Sequence, residues 1–259
     1  MLNSHFPYPI PMATATFRFY EELNDFLPPP RKKSDFTVAF DRRSSIKDMI
    51  ESLGVPHTEV DLILSNGEPV DFSYIVRDQD RVSVYPVFES LDIFPLARLR
   101  PEPLRKVRFV LDTHLGKLAK YLRMLGFDTL YNNGSADDTL VELACNNGGR
   151  ILLTRDIGLL KRKMITHGYF VRDTRPRMQV KEILNHFDLQ RLISPFQRCI
   201  HCNGEILPVP RQDIMGRVPA GILDNFDEFV ICSVCRHIYW KGSHYERMMN
   251  FIKGLTQSK

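Results

Sequence analysis

The sequence predicts an α/β protein in three parts: a small mixed-sheet domain, a mainly parallel sheet flanked by helices, and a short cysteine-built module. Three patterns carry that reading. Residues 13–90 follow the order strand, strand, helix, strand, strand; residues 105–195 alternate strands with helices; residues 196–250 hold two C-x-x-C pairs.

At 259 residues the chain is long enough for one or two domains with cores of their own. Hydrophobic residues at 43% and charged residues at 25% exclude a fibrous or wholly disordered protein. No apolar run approaches the ~20 residues that span a bilayer, so no membrane partner is expected. Residues 1–12 have neither a basic leader nor a continuous apolar stretch. With Pro7, Pro9 and Pro11 they suit a flexible tail rather than a signal peptide, and a cytoplasmic location is expected.

In the first domain, 13–90, Ala15, Phe17 and Phe19 alternate with polar residues, as do Phe36, Val38 and Phe40, which predicts two strands. The run from Ser45 to Gly54 opens on serine caps and closes on glycine. Its Ile46, Met49, Ile50 and Leu53 recur at helical spacing. A strand over Asp61–Leu64, an Asn66-Gly67 turn and a last strand over Arg81–Val87 complete the set. The order is that of a β-grasp, and the segment resembles ubiquitin-like domains. Carriers of that fold activate a free Gly-Gly end. Here Phe88-Glu-Ser-Leu-Asp-Ile-Phe-Pro-Leu96 runs on instead, so binding or positioning of a protein partner is expected in place of conjugation. Pro95, Pro101 and Pro103 make 91–104 an extended, semi-rigid linker.

The second domain, 105–195, reads as strand Lys106–Leu111, helix Leu115–Gly126, strand Asp128–Tyr131, helix Asp137–Asn147 and strand Arg150–Thr154. Helix Ile157–Thr166, strand Tyr169–Arg172 and helix Met178–His186 follow. In such a sheet, groups at the carboxyl ends of the strands converge on the ligand crevice. Asp112 directly follows the first strand, Asp156 stands one residue past Thr154, and Asp137 opens the middle helix. Carboxylates gathered there repel one another unless a cation neutralises them, and hard oxygens suit magnesium or manganese. Such an ion activates water and stabilises the leaving oxygen of a phosphodiester. Spacing alone equally allows caps: Ser135 and Asp138 stand at capping-box distance, and Asp112 can cap the next helix.

A long stretch bears on that choice. Phe109-Val-Leu-Asp-Thr-His-Leu-Gly-Lys-Leu-Ala-Lys-Tyr-Leu-Arg-Met-Leu-Gly-Phe-Asp128, with Ala136-Asp-Asp-Thr-Leu-Val-Glu-Leu-Ala144 and Arg150-Ile-Leu-Leu-Thr-Arg-Asp156, resembles the mut-seven C-terminal RNase family. That family is a branch of the PIN-like nucleases, whose bacterial members often carry a ubiquitin-like domain in front and a zinc ribbon behind. The resemblance implies a PIN-like, divalent-metal-dependent ribonuclease whose catalytic acids fall on Asp112, Asp137 and Asp156. Asp173, in Val171-Arg-Asp-Thr174, is the expected fourth acid, on a looser match. Glu142 reads as an exposed helix residue, and His114 as a first-turn helix residue rather than a base.

Charge is distributed to match. Residues 1–100 carry a net −4 and residues 101–259 a net +8, within a total of +4, which points to a polyanion partner for the second part. Lys117, Lys120 and Arg123 recur three residues apart on the helix after Asp112. Thr154 and Arg155 flank Asp156. These five are the expected nucleic-acid contacts, with RNA (tRNA or rRNA among its forms) as the partner. Lys161-Arg-Lys163 and Arg172, Arg175 and Arg177 extend the positive surface.

Cys199-Ile-His-Cys202 and Cys232-Ser-Val-Cys235, 29 residues apart, are the spacing of a tetrathiolate structural zinc site, a zinc ribbon over 196–250. Arg198, Arg236, Lys241 and Arg247 with Tyr239, Trp240 and Tyr245 offer phosphate and stacking groups, although aromatics beneath a ribbon more often pack. Cys145, alone on a helix, is expected buried. Against the ribonuclease stand two other readings: a non-catalytic RNA- or ribonucleoprotein-binding adaptor, and a metal-dependent activity on nucleotides or tRNA ends.

Overall fold

The computed structural model describes residues 12–41, 43–86, 99, 107–146 and 149–256. The expected tail, apart from Met12, and the expected linker, apart from Leu99, lie outside them. The described residues form two compact units, those within 1–103 together with 160–166, and those within 104–159 together with 167–259.

In the first unit, strands β1 (Ala13–Phe19) and β2 (Phe36–Phe40) precede helix α1 (Ile46–Ser52). Strands β3 (Val60–Ser65), β4 (Glu68–Pro69) and β5 (Asp80–Pro86) follow. The sheet order is β2-β1-β5-β3-β4, with β1 and β5 parallel and the other pairs antiparallel. This is the β-grasp arrangement. Phe17, Phe19, Ile63, Val82 and Val84 point from the sheet into a core closed by Ile46 and Ile50 of α1. Ser45 caps α1 by accepting from the Asp48 N–H at 3.1 Å. Asn66 and Gly67 both take positive φ, as a two-residue hairpin turn requires.

The second unit begins with β6 (Phe109–Leu111), α2 (Gly116–Met124), β7 (Thr129–Tyr131), α3 (Asp137–Cys145) and β8 (Ile151–Thr154). The one-turn α4 (Ile157–Leu160), β9 (Gly168–Phe170) and α5 (Pro176–His186) follow. Its four strands are all parallel, in the order β7-β6-β8-β9. Alternation along the strands sorts the two faces. Phe109, Leu111, Ile151 and Leu153 pack with Leu118, Leu122 and Leu125 of α2 and Val180 and Ile183 of α5. Helix α3 packs on β6 and β8. The helix predicted over Ile157–Thr166 stops at Leu160. Residues 160–166 belong to the first unit, where Lys161 donates to the Glu51 carbonyl at 2.6 Å, so the lysine serves as an anchor rather than as part of a free basic surface.

The ribbon follows as β10 (Ile206–Pro208), α6 (Ala220–Asn225), β11 (Phe229–Cys232) and β12 (Ile238–Trp240), an antiparallel sheet in the order β10-β11-β12. The long spacer between the cysteine pairs supplies β10, α6 and part of a small core, in which Ile214, Val218 and Leu223 pack on Phe229, Ile231 and Ile238. The closing helix α7 (Ser243–Thr256) returns to the parallel-sheet core through Ile252 and Leu255. Trp240 packs on the ribbon core and Tyr245 lies 4.8 Å from the Phe196 ring, so both are packing residues. Cys145, expected buried, is exposed at the end of α3.

A polar clamp fixes the ribbon to the amino end of β7. Asn203, one residue past Cys202, accepts from the Thr129 N–H at 2.9 Å and donates to Asp128 at 2.7 Å. Asp128 also takes both arms of Arg150, at 2.9 and 3.0 Å. Burial alone raises the Asp128 pKa, but the bonds from Arg150 and Asn203 outweigh it and hold the carboxyl below its usual range. The ionised form therefore adds stability that is complete above the unfolded value of about 3.9 and is lost as pH falls through the lower folded value. Asp128→Asn is expected to cost about 2–3 kcal/mol in urea unfolding at pH 7. The gap from wild type should shrink below pH 4; a gap constant from pH 7 to 2.5 would refute the clamp.

Candidate functional site

The carboxyl end of β6 delivers Asp112 into the end of the sheet at 8% exposure. Its Oδ1 accepts from the Thr113 N–H at 2.5 Å and from the Thr113 hydroxyl at 3.2 Å, capping the 3-10 turn Thr113–Leu115. His114 lies exposed in that turn. The Asp112 Oδ2 accepts from the Thr154 hydroxyl at 2.7 Å. That same hydroxyl oxygen accepts from the Asp156 N–H at 2.9 Å. Thr154, fully buried at the end of β8, therefore joins the two acids through one oxygen. Asp156 caps α4 with Oδ1, accepting from Gly158 N–H at 2.7 Å, and its Oδ2 has no hydrogen bond among the described residues. No described cation forms an ion pair with Asp112, Asp137 or Asp156.

The other expected site residues fall differently. Asp137 is exposed in the first turn of α3, whose N-cap is Ala136 with no side-chain cap, so the Ser135–Asp138 capping box does not form. Asp173 is bound by Arg175, which donates from its backbone, Nε and one terminal nitrogen at 2.7–3.1 Å and holds the carboxyl down at about 2. That carboxylate is committed to the arginine. Arg155 spends its guanidinium on the Val171, Arg172 and Asp173 carbonyls, fixing the loop after β9.

Arg123, expected on the nucleic-acid face, is instead 3% exposed. It donates to the carbonyls of Thr129, Ile200 and His201, which ties α2 to β7 and to the first cysteine knuckle. Burial pulls its pKa down and the neighbouring Cys202 and Cys199 thiolates oppose that. The i, i+3 repeat could not separate it from Lys117 and Lys120, which are exposed. Thr154 likewise acts through Asp112 and Asp156 rather than at the surface. The signal that would have found it is its place at the strand end between two acids.

Cys199, Cys202, Cys232 and Cys235 place their four sulfurs within 4.8 Å of one another. The Sγ–Sγ separations of 3.6 Å (Cys199–Cys235) and 3.3 Å (Cys202–Cys232) approach the ~3.8 Å edge of a tetrahedron with 2.3 Å zinc–sulfur bonds. Burial works to raise the Cys232 thiol, but N–H groups of Cys235 and Val234, both 3.4 Å from its sulfur, bring it to about 7. A Cβ at Gly204 would lie 2.8 Å from the Cys232 sulfur, so the knuckle closes only over glycine. The donor set fits a structural zinc. It is the one group of three or more metal-ligating side chains at such distances among the described residues. The acidic trio thus does not close to ligand distance.

Fold and site together define a parallel α/β domain with paired acids at its strand ends, preceded by a β-grasp unit and followed by a cysteine ribbon. The Mut7-C RNAse domain model matches residues 107–252 and the Mut7-C ubiquitin model matches residues 12–92. The chain belongs to the Mut7-C RNAse domain family. No curated protein and no solved structure matches it.

Zinc is expected to bind at one ion per chain and to contribute folding energy to the ribbon. Cys202→Ser should lower bound zinc at least tenfold by metal analysis and release the ribbon to protease. A Cys202→Ser chain that retains a full zinc equivalent would contradict the tetrathiolate site.

Proposed function

We propose that the chain is a divalent-metal-dependent ribonuclease that hydrolyses RNA phosphodiesters at the carboxyl ends of β6 and β8. The observation that carries the reading is a buried Asp112 carboxylate, with no ion pair among the described residues, tied through the Thr154 hydroxyl to the backbone of Asp156 at the neighbouring strand end. A buried carboxylate without a cation is costly, and a doubly charged ion at its rim relieves that cost. Asp112 and Asp156 would hold magnesium or manganese, with Asp137 completing the acidic rim. When bound, the ion supplies charge neutralisation and an activated water for in-line attack.

The chain's own residues do the positioning. Thr154 donates to the Asp112 carboxylate and accepts from the Asp156 backbone N–H, while the Asp156 carboxylate is held separately by the Gly158 N–H. The Asp112 carboxylate accepts three hydrogen bonds and still has a lone pair to offer the ion. Membership in a family named for a ribonuclease domain supports RNA as substrate. The ubiquitin-like unit fits a protein partner. No helix among the described residues is long and apolar enough to cross a membrane, and a four-cysteine metal group suits a reducing compartment such as the cytoplasm.

The adaptor reading draws on one observation: Asp112 and Asp156 both accept local backbone N–H groups, as caps do. Rate measurements separate the two. With zinc content unchanged, Asp112→Asn and Asp156→Asn should each lower RNA cleavage under magnesium or manganese at least a hundredfold. Thr154→Val should lower kcat about tenfold, and Thr154→Ser should restore it. Wild-type rates in both asparagine variants would leave the adaptor standing.

A further inference from the structure

Helix α2 connects the acidic end of the domain to the ribbon. It starts at the turn capped by Asp112 and ends where Arg123 grips the carbonyls of Ile200 and His201, about 14 Å further along its axis. Lys117 and Lys120 lie between these ends, both exposed, one turn apart on one face. Both line a cavity of about 650 Å3, sized for one nucleotide, that opens at the start of α2 beside Thr113. Tyr131 forms another wall. Its hydroxyl donates to the Thr113 carbonyl at 2.9 Å, and its ring lies where a Cβ on Gly116 would be, 2.5 Å from that hydroxyl. The glycine makes room for the ring.

At the far end of α2 the ribbon presents a run of rings. His201 and His237 are exposed with centroids 4.6 Å apart, and Tyr239 lies 4.7 Å from His237. Lys120 is within electrostatic reach of His201. The tyrosine hydroxyl is anchored 3.0 Å from the Cys199 sulfur, which leaves the two imidazoles as the accessible rings. Neither imidazole is needed as a zinc ligand, because four sulfurs already close that site.

We propose that this face is a single-stranded RNA path: one nucleotide enters the cavity with its base against Tyr131, the adjoining phosphates run along Lys117 and Lys120, and the next bases stack on His201 and His237. The assignment deepens the ribonuclease reading by naming unpaired RNA as the substrate form. Lysines spaced along a helix follow a phosphate backbone, while exposed ring faces take any base and demand that it be unpaired. An A-form duplex offers phosphates but no free base faces.

The test uses the full zinc-loaded chain carrying Asp112→Asn and Asp156→Asn, so that binding is read without cleavage, at pH 7.5 without added magnesium. Fluorescein-labelled oligouridines of 4 and 12 nucleotides and a 12-base-pair RNA duplex are titrated by anisotropy. Lys117→Ala/Lys120→Ala should weaken both oligouridines at least tenfold and reduce the slope of log Kd against log salt by about 1.4, two phosphates at ~0.7 each. His201→Ala/His237→Ala should weaken the 12-mer about tenfold and leave the 4-mer unchanged, with His201→Phe/His237→Phe restoring the 12-mer at equal zinc content. A duplex bound as tightly as the 12-mer, or a 12-mer affinity indifferent to either set of substitutions, would overturn the path. The binding pattern with no cleavage by the wild-type chain would sink the ribonuclease reading and leave the path in place.

Discussion

A carboxylate at the end of a buried strand is an unstable arrangement unless something answers its charge, and at Asp112 the protein answers with hydrogen bonds rather than with a cation. Thr113 and Thr154 supply three donors, and the Thr154 oxygen passes the constraint on to the Asp156 backbone. Residues 42 apart in sequence are thereby held in one orientation at adjacent strand ends. Parallel pairing of β6 with β8 makes the meeting possible, because only parallel neighbours bring two carboxyl ends to the same edge. Hydrogen bonds leave the net charge in place, and the proposed function assigns the answering charge to a small divalent cation.

The same economy of polar contacts governs the opposite edge of the sheet. Arg123 and Asn203 carry the ribbon on backbone carbonyls, a backbone N–H and the Asp128 carboxylate, and Arg150 locks that carboxylate in turn. The cysteine knuckle and the docking of the ribbon are therefore linked, since Asn203 follows Cys202 directly and Arg123 holds the carbonyls inside the knuckle. Helix α2 is the rigid element between the two edges, with its apolar side in the core and its lysines outside.

Much of this was legible in the sequence, for physical reasons that differ by element. The β-grasp unit follows from period-two alternation and capped helix spacing, and the ribbon from two C-x-x-C pairs at the spacing a tetrathiolate zinc site uses. The parallel sheet follows from short apolar runs between helices. What stayed hidden depends on three-dimensional partners. Arg123 shares its spacing with Lys117 and Lys120, yet the knuckle carbonyls draw it inward. Asp173 looks like a fourth acid until Arg175, two residues on, is seen to occupy it. The long helix expected after Asp156 ends early because residues 160–166 pack with the first unit, a choice made by Glu51 and other distant residues. Thr154 was visible only as a neighbour of Asp156, and its bond to Asp112 required the register of β8 on β6.

The central claim is that Asp112 and Asp156 form one cation site. A manganese titration of the zinc-loaded chain followed by electron paramagnetic resonance reads it without any substrate. The account predicts one bound manganese per chain, displaced by magnesium and lost in both Asp112→Asn and Asp156→Asn while zinc stays in the ribbon. A manganese signal that survives both substitutions, or no bound manganese in the wild-type chain, would contradict it.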